Sequence, residues 1–489
     1  MLFNSIVFIV FFLVVTSLYF MLSYKYRGFM LLVASCVFYM FFKIEYILIL
    51  LGTIVVDYIA GIYIEGAEDS KRKKVFLIIS LIANIGVLAV FKYYNFINDN
   101  ITGLLSIWNL ENPIPALSIL LPIGLSFHTF QAMSYTIEVY RGTQKAERNF
   151  WTYALYVMYY PQLVAGPIER PQNMLHQFYE KHDFDYSRAI SGLRLMLWGF
   201  FAKVVVADNL SVYVNRVYDN LPEQNAVTCL IAVYFFSIQI YCDFYGYTSI
   251  ARGASRIMGI ELMQNFNLPY FATSIRDFWS KWHISLSTWF RDYLYIPLGG
   301  NRVAKPRMMF NLFIVFLVSG LWHGANWTFI IWGALHGLFL LSEIIINDYF
   351  REIKRKLSKF FGAKLWYVLS LLITFHLVSL AWIFFRAPSL AEAVMVCKTV
   401  LFELPSAIIG FMHGESVLAG INLPSGKTLP VLLLMIATFF LLDKYRSNSK
   451  ALQFFNSKAW LRYSMYSVFL LCIFLYGYME DVAFIYFQF

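Results

Sequence analysis

The sequence predicts an all-α polytopic membrane protein, with about 12 transmembrane helices and further re-entrant or interfacial helices around a central tunnel. Three observations carry this expectation. Of 489 residues, 60% are hydrophobic and 19% aromatic, and only 14% are charged, against about 25% in an average soluble domain. The mean hydropathy is +0.61, and the apolar character extends from Met1 to Phe489. Apolar runs that approach the roughly 20 residues needed to cross a hydrocarbon core as a helix recur between short polar loops. Such proportions exclude a water-soluble globular chain, a disordered chain and a disulfide scaffold.

In order, the candidate spans are 2–22, 28–42, 46–64, 75–94, 116–140, 190–207, 226–243, 309–324, 326–346, 366–386, 430–442 and 463–479. Several are too short to cross without help from neighbours. The first, from Phe3 to Met21, has no basic stretch before it and no small-residue cleavage site after it. It is expected to be a retained span and not a signal peptide.

The charged loops set the topology. Lys and Arg number 39 against 29 Asp and Glu, a formal net charge of +10. The excess lies in short runs between apolar segments: Lys71-Arg72-Lys73-Lys74, Arg351 to Lys359, and Lys444 with Arg446 and Lys450. Runs of this kind orient helices by the positive-inside rule, so the charge reads as topology and nucleic acid is not an expected partner. With Lys25 and Arg27 cytoplasmic, the runs 71–74, 141–148, 252–307, 351–364 and 444–462 fall on one side, whereas 95–115 carries no Lys or Arg. Both termini then come out extracytoplasmic.

Residues 166–190 and 244–308 mix apolar, aromatic and charged residues with Gly and Pro. Non-helical backbone at membrane depth is tolerated only where protein or a water-filled cavity surrounds it. Both are expected to be re-entrant or interfacial pieces lining a cavity open to the cytoplasm. The turn Ala165-Gly166-Pro167-Ile168-Glu169-Arg170-Pro171 reads as a sharp break. Cys36, Cys229, Cys242, Cys397 and Cys472 show no metal-ligand spacing and read as small buried hydrophobes, and no metal is expected. No internal repeat is evident, which argues against an inverted-repeat transporter.

Polar residues gather in Arg276 to Asn301 and in Ser319-Gly320-Leu321-Trp322-His323-Gly324-Ala325-Asn326-Trp327. An ionisable residue inside a span is a functional candidate by default, and His323 is the sharpest one. Counted from Arg307, it lies about 24 Å across at the helical rise per residue, in the outer half of the bilayer. Gly320 and Gly324 would leave the helix surface open for a substrate to approach. A neutral imidazole with one free nitrogen suits general-base work, and a histidine tying two helices together is the alternative. His283 falls in the cytoplasmic re-entrant segment, as a functional group or an interfacial cap. His128, His336 and His376 read as core histidines with a direct role open to each. Asp57 and Asp243 are intramembrane carboxylates, either ion-pathway residues or buried partners of Arg or Tyr.

Taken together, these stretches resemble the membrane-bound O-acyltransferase (MBOAT) family, in its bacterial alginate-O-acetylation type branch. The resemblance rests on Arg276-Asp277-Phe278-Trp279, Lys281-Trp282-His283-Ile284-Ser285, Trp289 to Asn301, and Gly320-Leu321-Trp322-His323-Gly324 with Trp327. Leu121 to Phe127, Tyr140-Arg141-Gly142, Pro161 to Ile168 and the final Phe484-Ile485-Tyr486-Phe487-Gln488-Phe489 also match. It implies a single MBOAT-type membrane domain over 1–489, with 118–345 as a motif-rich catalytic core and 484–489 as an extracytoplasmic C-terminal motif. It also implies His323 as the essential residue and His283 as the second functional histidine.

The implied activity is passage of acetyl groups from cytosolic acetyl-CoA, the acyl donor, across a bacterial inner membrane for O-acetylation of an extracytoplasmic polysaccharide. A periplasmic or membrane-tethered acetyltransferase is the implied partner, besides membrane lipids, and the exported polysaccharide is met indirectly. Tyr486 resembles an acyl-relay tyrosine of related systems, and an aromatic-belt residue is the alternative. A polytopic transporter or channel, or an MBOAT acting on a lipid or protein hydroxyl, are the competing functions.

Overall fold

A computed structural model describes residues 1–118, 121–164, 166–413, 428–446, 457–478 and 482–487. Ala165 of the sharp turn, Lys450 with most of the basic run 444–462, and Gln488 and Phe489 of the C-terminal motif lie outside the described residues. Among those described, helices dominate and no strand occurs. The chain is an all-α polytopic membrane protein: nine described helices are long and apolar enough to cross a bilayer.

The elements that matter run in order as α1 (Ile6–Met21), α2 (Tyr24–Met40), α3 (Tyr46–Gly66), α4 (Ser70–Ser106), α5 (Leu125–Tyr140), α6 (Phe150–Met158), α7 (Tyr186–Tyr218) and α8 (Ala226–Ile257). Then come α9 (Ile275–Lys281), α10 (Ile284–Phe290), α11 (Lys305–His323), α12 (Trp327–Tyr349), α13 (Arg351–Arg386), α14 (Leu390–Gly410), α15 (Leu429–Arg446) and α16 (Ala459–Tyr476).

The expected count of about twelve is not reached by length and composition among the described residues. Helices α1, α2 and α5 have 16, 17 and 16 residues, short for a full crossing. In the other direction, α14 is a spanning-length helix that apolar-run counting passed over, because Glu392, Lys398 and Glu403 interrupt it. The span expected at 75–94 continues to Ser106 through a π-helical turn at Ala89–Tyr93, since no proline stops it. The irregular segment expected from 244 begins only after Ile257, where α8 ends. Its remainder is the short-helix, glycine-turn stretch anticipated, with α9, α10 and a π-helical turn at Arg291–Tyr295.

Contacts divide the chain into two compact units. The first comprises Met1–Gly199, Tyr247–Met263 and Ala483–Phe489, and the second Phe200–Gly246 and Gln264–Val482. The motif-rich stretch 118–345 therefore contributes residues to both.

In the first unit, α3, α4 and α5 are tied by polar groups that lipid could not satisfy. Ser80 Oγ donates to Asp57 Oδ1 at 2.5 Å, and Asn84 Nδ2 reaches both Asp57 oxygens at 2.9 Å. Thr53 Oγ1 and His128 Nε2 lie 2.7 Å apart. Asp57 and His128 thus act as interhelical ties. The hydrogen-bond partners of Asp57 are Ser80 and Asn84 and not the Arg or Tyr expected. Gly61 is required here, because a Cβ would stand 2.7 Å from the Tyr135 ring.

In the second unit, the Asp243 partner is a lysine. Lys203 Nζ lies 2.7 Å from Asp208 Oδ1 and 2.8 Å from Asp243 Oδ1, with all three side chains buried. Helices α11 and α12 form a hairpin whose ends follow from sequence. Pro306 sits in the first turn of α11, where its missing N–H costs nothing. Gly324 caps its C-terminus, and Asn326 then caps α12 by accepting from the Thr328 N–H at 3.0 Å. Glycine lets the two backbones touch: a Cβ at Gly320 would meet the Phe329 carbonyl oxygen at 2.3 Å, and one at Gly333 the Phe316 carbonyl oxygen at 2.3 Å. This small-residue packing substitutes for the hydrophobic drive that lipid does not supply.

Candidate active site

Both histidines singled out from sequence lie in the second unit and are buried, His283 fully and His323 with 4% exposure. His323 is the last residue of α11, and His283 is the residue before α10. Counting helical rise set them on opposite sides of the membrane. The fold instead separates them by a single indole: Trp322 lies 6.4 Å from His283 and 4.9 Å from His323, ring centre to ring centre. The 264–290 segment folds back into the protein, which brings a residue remote from any spanning helix beside one at a helix end. The open approach expected at Gly320 and Gly324 is absent. Phe329 fills it, with its ring 2.1 Å from where a Gly324 Cβ would be.

How His283 is held can be followed from the backbone. Ser274 caps α9 by accepting from the Asp277 N–H at 3.1 Å, and Asp277 accepts from the Thr273 N–H at 3.2 Å and from Lys281 Nζ at 2.9 Å. This variant of the capping box, in which Asp277 reaches back to the Thr273 N–H and not to that of Ser274, fixes α9, and Trp282 then breaks the helix in extended conformation. His283 follows at φ 42°, ψ 55°, in the left-handed region, which costs a non-glycine residue about 1–2 kcal/mol. Strain of this kind persists only where surroundings over-determine it, and it clusters at functional sites.

Asn265 does the over-determining. Its carbonyl accepts from the Ile284 N–H at 2.9 Å and its side-chain Oδ1 from the Ser285 N–H at 3.3 Å, while Asn267 N–H donates to the Lys281 carbonyl at 3.0 Å. Phe244 of α8 closes on His283 edge-on at 4.7 Å. Burial outside the spanning helices lowers the His283 imidazole from 6.5 to about 3, so it is neutral at physiological pH. Replacing Asn265 with alanine removes the Oδ1 tie and leaves the Ser285 N–H unpaired. We expect turnover to fall by about tenfold to a hundredfold through misplacement of His283, with a smaller change in donor KM, as steady-state kinetics would show.

Beyond His323 the ring row continues. Trp332 packs edge-on to His323 at 4.9 Å, and His336 packs on Trp332 at 4.9 Å. Trp279 Nε1 donates to His336 Nδ1 at 3.3 Å. The structure thus draws His336 into the neighbourhood of His323, whereas His128 serves the tie described above and exposed His376 bonds the Leu372 carbonyl at 2.7 Å. Sequence reasoning missed Trp332 and Asn265. The spacing of Trp332 and His336, one helical turn apart on one face, was a signal available for the first, and nothing local marks Asn265.

Tyr486 lies in the first unit, on a single 3₁₀ turn at Ile485–Phe487. Its ring stacks on Phe484 at 5.4 Å and meets Phe127 at 6.3 Å. Phe484 in turn stacks on Tyr247 at 4.5 Å, and Tyr247 on Phe3 at 4.5 Å.

The site is thus a row of buried histidines and aromatic rings inside a many-spanning helical protein. Residues 147–385 match the sequence model of the MBOAT, membrane-bound O-acyltransferase family. The probable alginate O-acetylase AlgI of Pseudomonas aeruginosa is 39% identical over 432 residues, covering 86% of this chain and 80% of that protein. A peptidoglycan O-acetyltransferase of Helicobacter pylori is 36% identical over 394 residues, covering 75% and 72%. A teichoic acid D-alanyltransferase of Bacillus subtilis is 27% identical over 274 residues, covering 54% and 68%. The chain belongs to the membrane-bound O-acyltransferase family, in its alginate-O-acetylation branch, and is a multi-pass membrane O-acyltransferase. The transporter reading gives way to that membership.

Proposed function

We propose that this enzyme takes acetyl groups from cytosolic acetyl-CoA and passes them across the bacterial inner membrane for O-acetylation of an extracytoplasmic polysaccharide. The observation that carries the reading is the buried His323, one indole away from neutral His283, in a protein whose relatives include a probable alginate O-acetylase and a peptidoglycan O-acetyltransferase. His323 accepts the proton of the attacking hydroxyl, whose oxygen bonds to the thioester carbonyl carbon. The C–S bond then breaks, and the leaving thiolate takes the proton back from His323 to give free CoA thiol and the new ester. Neutral His283 orients the reactants and does not exchange protons near neutral pH. Exposed Arg276, Arg291, Arg302 and Arg307 offer charge for the donor's phosphates.

Tyr486 is proposed as a relay that holds the acetyl as a phenyl ester before a later hydroxyl, with a periplasmic or membrane-tethered acetyltransferase completing delivery. Purified enzyme incubated with acetyl-CoA carrying a labelled acetyl group is expected to release CoA thiol and to become labelled. Tyr486→Phe is expected to lose the protein-bound label. No thiol release would refute the donor; label retained on Tyr486→Phe would refute the relay alone.

A further inference from the structure

The ring row beside His323 contains two hydrogen-bond donors whose acceptor is missing. Trp332 and His336 are both fully buried. His336 Nδ1 accepts from Trp279 Nε1–H, so the neutral ring must carry its proton on Nε2. That Nε2–H, and the Nε1–H of Trp332, have no acceptor among the described residues. Buried polar groups are nearly always satisfied, and each exception calls for a reason. The two rings adjoin at 4.9 Å, and Trp332 adjoins His323 at the same distance. This pair of donors without a protein acceptor among the described residues stands next to the base, where a substrate oxygen would satisfy both.

We propose that Trp332 Nε1–H and His336 Nε2–H take the carbonyl oxygen of the acyl thioester and hold the oxyanion that forms on it. When the acceptor oxygen bonds to the carbonyl carbon, the C=O electron pair moves onto that oxygen, and the two N–H groups receive it in water-poor surroundings. When the pair returns, the C–S bond breaks and the thiolate leaves with the proton held by His323. Preorganised donors aimed at developing charge are typically the largest single catalytic contribution. Trp279 has a positioning role, since its indole sets the His336 tautomer. The proposal rests on His323 as the base.

The test uses the full-length enzyme in detergent or liposomes, with Trp332→Phe, which keeps an aromatic ring of smaller size and deletes the N–H, and His336→Phe beside it. Trp332→Phe is expected to lower kcat by about a hundredfold with KM for acetyl-CoA within about threefold and a cooperative thermal transition retained, at a somewhat lower temperature because a buried indole is replaced by a smaller ring. Unchanged kcat, or a loss confined to KM, would overturn the assignment. Should the variants fail to fold, a binding comparison on the unmodified enzyme decides. Acetonyl-dethio-CoA, in which a methylene replaces the sulfur and the carbonyl keeps its place, is expected to bind at least about tenfold more tightly than S-ethyl-CoA, which lacks the carbonyl. Equal affinities would refute the proposal. His323→Gln is expected to lose turnover and keep the ketone preference, so a failure of the base and a failure of the donor pair give different patterns.

Discussion

Replacing His323 with alanine is expected to abolish polymer acetylation in cells that contain normal amounts of the protein. General-base assistance contributes about 10² to 10⁴ in rate, and under the proposed mechanism removal of His323 leaves the hydroxyl to attack unaided. Loss of fold is the competing explanation for an inactive variant, since His323 is 4% exposed and packs on Trp322, Trp332 and Phe385. His323→Gln keeps much of the volume and a polar tip without a titratable nitrogen, so it is expected to be equally inactive with wild-type thermal stability in detergent. Normal acetylation by either variant would remove His323 from the mechanism.

Replacing Lys203 with methionine is expected to be the most destabilising single change away from the histidines. Lys203 Nζ holds two carboxylates, Asp208 and Asp243, within 2.8 Å and is itself fully buried. Removing one partner of a buried ion pair costs about 3–5 kcal/mol, because the remaining charge has neither water nor counter-ion; here two carboxylates would be left. Adding Asp208→Asn and Asp243→Asn to Lys203→Met removes the stranded charge and is expected to recover a large part of the loss. Thermal unfolding in detergent would measure both steps. A Lys203→Met protein as stable as the original would mean that the triad is not what holds α7 to α8 at this point.

Element by element, what could be read from residue order depends on how local its cause is. The α11/α12 hairpin was legible to within a few residues because proline, glycine and asparagine mark its ends. Helix α14 was not, because its charges break the apolar run even though the helix persists through them. His323 was conspicuous as an imidazole in a span. His283 was visible through its motif, but its position was misjudged, since a rise per residue describes straight helices and not the fold-back held by Asn265. The roles of Gly320 and Gly324 were misread for the same reason: a glycine leaves space, and only the neighbouring helix decides whether Phe329 or a substrate occupies it.

By itself, then, the sequence determined the solvent, the helical class, the family motifs and His323 as the leading candidate, all of which follow from composition and short-range pattern. Tertiary structure alone decided that His283, Trp322, His323, Trp332 and His336 form one continuous row, that Lys203 answers Asp243, and that Phe329 fills the glycine gap. Contacts between residues far apart in the chain depend on the register of packed helices and on a strained turn. No local propensity encodes either of these.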